Sequence, residues 1–194
     1  MNKHQNKKRS LWYEWFESIL VALILAVFIR TFFLEPYKIP TTSMVPTLMP
    51  RDKILVNKII YGPRIPFVGL RIPGFRKPKR GEVIVFIAPP EPNKCYVKRL
   101  IGLPGEKVSI RDGRIYINDK LITLPSISRN FYYNRGLYGQ EGGEIKVPAD
   151  SYFVLGDNSA LSRDSRYWGF VPYRNVVGKA LVIWWPPRRF KLIY

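Results

Sequence analysis

Apolar and polar positions divide the chain into an apolar N-terminal block and a body of short runs. From Phe16 to Leu34 almost every residue is apolar, interrupted only by Glu17, Ser18, Arg30 and Thr31. The unbroken centre, Ile19–Ile29, has 11 residues, a length that suits a signal-peptide core or a buried helix. All 19 residues taken as one helix span about 28 Å at ~1.5 Å per residue, close to the hydrocarbon thickness of a bilayer. Arg30 lies one turn from the end, where its guanidinium can snorkel to the interface. No small-x-small cleavage site follows, since the chain continues Thr31-Phe32-Phe33-Leu34-Glu35-Pro36-Tyr37. Trp12, Tyr13 and Trp15 stand where interfacial aromatics would. These features favour an uncleaved anchor over 16–34 against a removed signal. The tail to residue 15, with Lys3, Lys7, Lys8 and Arg9, then stays in the cytoplasm and residues 35–194 face outward.

After Leu34 short apolar runs alternate with turn residues. Lys53–Ile60, Glu82–Ile87, Tyr96–Ile101, Tyr152–Leu155 and Val176–Trp185 read as strands. Lys107–Ile110 and Arg114–Ile117 flank Asp112-Gly113, a hairpin signal, and Asn118-Asp119 marks a second turn. Tyr61–Arg80, with Pro63, Pro66, Pro73 and Pro78, reads as a loop. Ser126–Gly143 shows no period and reads as an extended flap. No helical pattern longer than two turns follows residue 35. Many strands and turns, with 17 Pro and 14 Gly, predict a mainly β fold.

Charge adds a partner to this picture. Lys and Arg number 32 against 14 Asp and Glu, a net charge of +18, and most of the excess lies after Leu34. Such a surface attracts nucleic acid or the anionic face of a bilayer. No helix-turn-helix or nucleotide-binding glycine motif accompanies it, so nucleic acid is not an expected partner. The one cysteine, Cys95, excludes an intrachain disulfide and a cysteine-based zinc site. The one histidine, His4, sits in the charged tail. A Ser-His-Asp triad needs an imidazole in a packed site, so serine chemistry here would need another base.

Three segments are candidates for chemistry. In Ile39-Pro40-Thr41-Thr42-Ser43-Met44-Val45-Pro46-Thr47-Leu48 two prolines bracket a run of hydroxyls. Prolines restrict the backbone and can hold a nucleophile in one geometry; the plainer reading is a Ser/Thr-rich turn. In Tyr96-Val97-Lys98-Arg99-Leu100-Ile101, strand alternation puts Tyr96, Lys98 and Leu100 on one face. If that face is buried, desolvation lowers the lysine pKa toward a usable base; the alternative is an exposed lysine guarding a sheet edge. Gly156–Gly169 is dense in Asp, Asn, Ser and Arg. It reads either as a polar network bracing a site or as a long Asx-rich loop with weak surface ion pairs.

These segments, in this order, resemble the type I signal peptidases. So do Lys79-Arg80-Gly81-Glu82-Val83-Ile84-Val85-Phe86 and Leu103-Pro104-Gly105-Glu106-Lys107-Val108. The resemblance, and not the spacing, singles out Ser43 as the acylating nucleophile and Lys98 as its general base. It implies an oxyanion hole from the Ser43 N–H and the Thr41 hydroxyl, and a hydrogen bond from Ser162 that holds Lys98 in line. Arg99, Asp157, Asp164 and Arg166 would form supporting ion pairs, and Tyr37, Ile39, Leu48, Tyr96 and Val97 would line shallow pockets for small side chains. It further implies a largely antiparallel β domain with a smaller inserted β region near 107–148. Phe67, Phe75, Trp184 and Trp185 are candidates for bilayer contact.

By the same resemblance the expected partners are precursor proteins with signal peptides, cut after Ala-x-Ala-like sites, and the lipid bilayer. No cofactor and no metal is expected, and the location is the plasma membrane with the domain on the outer face. Ser159-Ala160-Leu161 departs from the Arg-Asp-Asn of many bacterial members, so contacts in that loop are expected to differ. Self-cleaving repressors with a similar Ser–Lys pair carry a DNA-binding domain where this chain has its apolar segment. A tethered basic β domain that binds polyanions would explain the charge but not the serine and lysine motifs.

Overall fold

The structure, a computed structural model, describes residues 11–65 and 70–194. The basic tail with His4, and Phe67, lie outside the described residues. Helix α1 runs Leu11–Phe32, starting earlier and ending sooner than the apolar run. Trp12, Tyr13 and Trp15 therefore belong to it, and Leu34 already opens a strand. At 22 residues it is about 33 Å long. It is apolar around its whole circumference, and Leu23, Ile24 and Phe28 remain largely exposed. A helix with no polar face needs an apolar surround. Lys58 closes its end: the Lys58 Nζ donates to the carbonyls of Arg30 and Thr31 at 3.1 and 3.2 Å.

The body is antiparallel β. Strands β1 (Leu34–Lys38), β2 (Lys53–Asn57), β3 (Val83–Ala88), β4 (Glu91–Gly102), β9 (Ser151–Leu155), β10 (Val171–Pro172) and β11 (Val176–Trp185) form one sheet in the order β1-β2-β11-β3-β4-β9-β10. Strand β12 (Lys191–Leu192) also pairs with β11. A second sheet, β7-β6-β5-β8, uses β5 (Lys107–Arg111), β6 (Arg114–Ile117), β7 (Lys120–Leu121) and β8 (Glu144–Lys146). Both of its tight turns use left-handed residues, with φ of 49° and 72° at Asp112-Gly113 and 49° and 62° at Asn118-Asp119. These values suit the two-residue hairpins the sequence signalled.

Strand β3 explains its own unbroken apolar run. Val83 and Val85 enter a core with Ile39, Met44, Leu48 and Ile54, while Ile84 and Phe86 enter another with Leu100, Tyr152 and Val154. A strand covered on both faces has no polar positions to alternate. A third core, built on Val108, Ile110, Ile117, Phe153 and Leu155, joins the two sheets.

Several expectations change. The strand expected over Lys53–Ile60 stops at Asn57, because Ile59–Tyr61 turns into a 3-10 helix. Strand β1 had no clear signal: Leu-Glu-Pro-Tyr-Lys contains a proline, tolerated because β1 lies at the sheet edge. The segment Ser126–Gly143 is tied down rather than free. It overlaps a one-turn helix α2 (Pro125–Ser128), buries Ile127 and Tyr132, and is held by Tyr132 N to Gly113 O at 2.9 Å and Tyr138 N to Arg166 O at 2.8 Å.

Candidate active site

The loop after β1 carries Ser43 on a packed base. Met44 and Leu48 point into the core below it and are 1% and 0% exposed. Val45 N bonds Thr42 O at 3.1 Å and Leu48 N bonds Met44 O at 2.9 Å, so the loop is one tight coil between Pro40 and Thr47. From the other side, Asn158 N donates to Ser43 O at 3.1 Å and the Asn158 side chain donates to Thr42 O at 3.2 Å.

Lys98 arrives from β4, opposite Ile84 on β3. The alternation expected for this strand is present: Tyr96 and Leu100 pack with the Ile84–Phe86 core, while Val97 packs on the Val83–Val85 side. The Lys98 Nζ donates to Ser43 Oγ at 2.5 Å, and both residues are buried. Burial pushes the Lys98 pKa down to about 8, against the opposing pull of the Asp164 and Asp157 carboxylates. At pH 7 about 10% of such a lysine is neutral, against about 0.04% for a free one. Thr41 Oγ1 lies 3.3 Å from Ser43 Oγ.

Two buried ion pairs flank this contact. Arg99 grips Asp157 with Nε at 2.7 Å and Nη2 at 2.6 Å, and its Nη1 also donates to the Gly81 and Tyr194 carbonyls. Arg166 grips Asp164 with Nε at 2.8 Å and Nη2 at 2.9 Å. Asp164 also accepts from Gly156 N at 2.9 Å and caps helix α3 (Ser165–Trp168).

Ser159, at the departure from the family pattern, is buried inside this network. Its Oγ accepts from Arg166 Nη1 at 2.6 Å and from Tyr133 N at 2.9 Å, and so ties the 126–143 segment to the site. Sequence reasoning gave it no role; the only signal was the departure of Ser159-Ala160-Leu161 from the Arg-Asp-Asn of many bacterial members.

A cleft of about 730 Å³ opens over Ser43 and Lys98. Tyr37, Ile39, Thr41, Tyr96 and Val97 line it, as expected, and so do Leu161 and Arg163, which were not. Leu48 is absent from its wall, because it is fully buried in the core beneath the loop. The expected bond from Ser162 to Lys98 is not formed. Ser162 is buried, and its Oγ has no partner among the described residues. No group of His, Cys, Asp and Glu able to hold a metal occurs among the described residues.

Gly156 lets the three segments meet. A Cβ there would lie 2.2 Å from Ser162 Oγ and 2.4 Å from Ser43 O. Gly156→Ala is expected to displace the Ser43 loop, lower activity about 10²-fold and destabilise by about 1–3 kcal/mol. Chemical denaturation beside a rate assay reads both, and a variant with normal rate and stability would contradict this packing.

An antiparallel β protein that holds a buried serine hydroxyl against a buried amine, under an open cleft, falls in the class of serine hydrolases. Residues 12–185 match the family model of signal peptidase, peptidase S26. The chain is 37% identical to a probable signal peptidase I-2 of Synechocystis over 98% of its length and 81% of that protein's. It is 36% identical to signal peptidase I of Pseudomonas aeruginosa, covering 92% of this chain and 75% of that one, and 38% identical to that of Bacillus licheniformis, covering 95% and 94%. A crystal structure of a signal peptidase I from Enterococcus faecalis V583 shares 38% identity over 54% of this chain and 97% of that one, with a TM-score of 0.44. The chain belongs to the signal peptidase, peptidase S26 family.

Proposed function

We propose that this protein is a membrane-anchored signal peptidase I that cuts exported precursors after Ala-x-Ala-like sequences, with Ser43 as nucleophile and Lys98 as general base. The observation that carries the reading is the 2.5 Å contact between Lys98 Nζ and Ser43 Oγ in a buried setting that favours the neutral amine. Neutral Lys98 takes the Ser43 proton as the oxygen attacks the scissile carbonyl. The oxyanion forms beside the Ser43 N–H, which meets no backbone carbonyl among the described residues, and near the Thr41 hydroxyl. A well-placed donor of this kind contributes roughly 3–4 kcal/mol to the transition state. The lysine then protonates the leaving amine and activates the water that releases the acyl group. Once Ser43 is acylated, Lys98 loses its present acceptor. In this reading Ser162, whose buried Oγ has no partner among the described residues, is the hydroxyl that would then orient it.

Tyr37, Ile39, Tyr96 and Val97 line the cleft, and in this reading they form the recesses that take small substrate side chains. Membrane attachment is supported by the exposed apolar helix and by the aromatic and basic residues before and at its start in the sequence; in this reading the N-terminus lies in the cytoplasm and the β body on the outer face of the plasma membrane. Phe75, Trp184 and Trp185 are exposed and available to the bilayer surface, with Lys53 Nζ 5.3 and 5.8 Å from the two indoles.

Purified full-length protein is expected to cleave a precursor bearing an Ala-x-Ala site. Because Lys98 must be neutral, the rate should rise tenfold per pH unit up to about 8 and level off above it. Absence of cleavage, or a rate flat from about pH 5 to 9, would exclude the proposal.

A further inference from the structure

A second large cavity, about 890 Å³, lies where α1 meets the β body, separate from the Ser43 cleft. Its wall carries five cations, Arg30, Lys58, Arg64, Arg71 and Arg174, and one carboxylate, Glu35. That carboxylate is already used: Lys58 Nζ lies 2.7 Å from it and the Tyr37 hydroxyl 2.9 Å. Lys58 is committed to it and to the carbonyls that end α1. Arg71 donates to the Tyr61, Gly62 and Val176 carbonyls, lies 4.9 Å from the centre of the Tyr173 ring, and keeps a buried Nε with no partner among the described residues. Arg30, Arg64 and Arg174 make no ion pair among the described residues. Burial, and then the charges of Arg71 and Arg174, hold the Arg64 guanidinium below its usual pKa. Four guanidinium groups thus share one concave wall with no free carboxylate among the described residues, an arrangement whose mutual repulsion a bound anion would relieve.

We infer that this cavity takes the phosphodiester headgroup of an anionic phospholipid from the leaflet beside the β body. Guanidinium groups bind phosphate oxygens in a bidentate fork, which suits them to this ligand. The position names the source: Val27, Arg30 and Thr31 belong to the last turns of the apolar helix, at the depth where headgroups begin. Val27 adds an apolar side that a glycerol and the first methylenes would cover and that a free phosphate would not. The inference rests on α1 crossing the bilayer.

The test uses the full chain in nanodiscs of phosphatidylcholine, with or without phosphatidylglycerol, followed by release and native mass spectrometry. One phosphatidylglycerol should stay bound per protein, phosphatidylcholine should not, and millimolar inorganic phosphate should neither bind nor displace it. Arg64→Gln with Arg174→Gln should lower retention about tenfold or more, while cleavage of a soluble peptide is unchanged. Arg64→Lys with Arg174→Lys should retain more lipid than the Gln pair, which separates charge from folding. Equal retention of both lipids, wild-type retention by the Gln pair, or displacement by inorganic phosphate would each overturn the inference. Failure of the chain to enter nanodiscs would instead remove the anchor itself, and this site with it.

Discussion

Ser43→Ala and Lys98→Met are each expected to lower kcat/KM on a precursor by about 10⁴-fold or more, and the double variant should be no worse than either alone. Non-additivity is the mark of a unit: Ser43 Oγ and Lys98 Nζ are 2.5 Å apart, and removing either removes the same proton transfer. The two variants should part in stability. In the unfolded chain Lys98 titrates near 10.4, but in the fold it titrates at about 8 because it is buried. Below pH 8 both states carry the proton, and the full penalty of burying a charged amine falls on the folded state. Between about 8 and 10.4 the unfolded state binds more protons, so stability rises with pH and the penalty fades. The penalty is on the order of 3 kcal/mol, and losing the hydrogen bond to Ser43 offsets part of it. Lys98→Met should therefore melt several degrees above wild type at pH 7 and lose that advantage by about pH 10.5. An advantage independent of pH, or none at pH 7, would contradict a lysine held at the expense of stability.

That opposition between stability and chemistry was half visible in the sequence. Alternation along Tyr96–Ile101 put Lys98 between Tyr96 and Leu100, but whether that face was buried depended on β3 and on the Ser43 loop, which are distant in sequence. The hairpins at Asp112-Gly113 and Asn118-Asp119 were legible because their turns demand particular residues. Strand β1 was not, because an edge strand with Pro36 is defined by its partner β2 and not by its own composition. Leu48 illustrates the limit for the site. The motif that contains it also contains Ser43, but only the three-dimensional coil shows that Leu48 points down into the core while Ser43 faces the cleft. Ser159 was hidden for the opposite reason: its role is to accept from Arg166 and Tyr133, neither of which its local sequence announces.

Removing one carboxylate should separate fold from chemistry in the same site. Asp164→Ala leaves Arg166, 0% exposed, without its counter-charge, and also removes the acceptor of Gly156 N and the cap of α3. Breaking a buried pair from one side typically destabilises by about 3–5 kcal/mol, here roughly 6–20 °C in Tm. Arg166→Met added to it should not add a second loss of that size, because the stranded charge is gone, although the carbonyls of Tyr133 and Ser159 then lose a donor. The same substitution acts on Lys98 through space. Asp164 is the strongest of the charges that raise the Lys98 pKa, and Arg166 lowers it. Without Asp164 both effects push one way, so the acidic limb of the cleavage rate should move below pH 8 in the fraction that folds. Fully additive losses would mean the two side chains act independently. A limb that stayed in place or moved upward would mean that the Asp164 charge does not reach the amine, and that burial alone sets how Lys98 titrates.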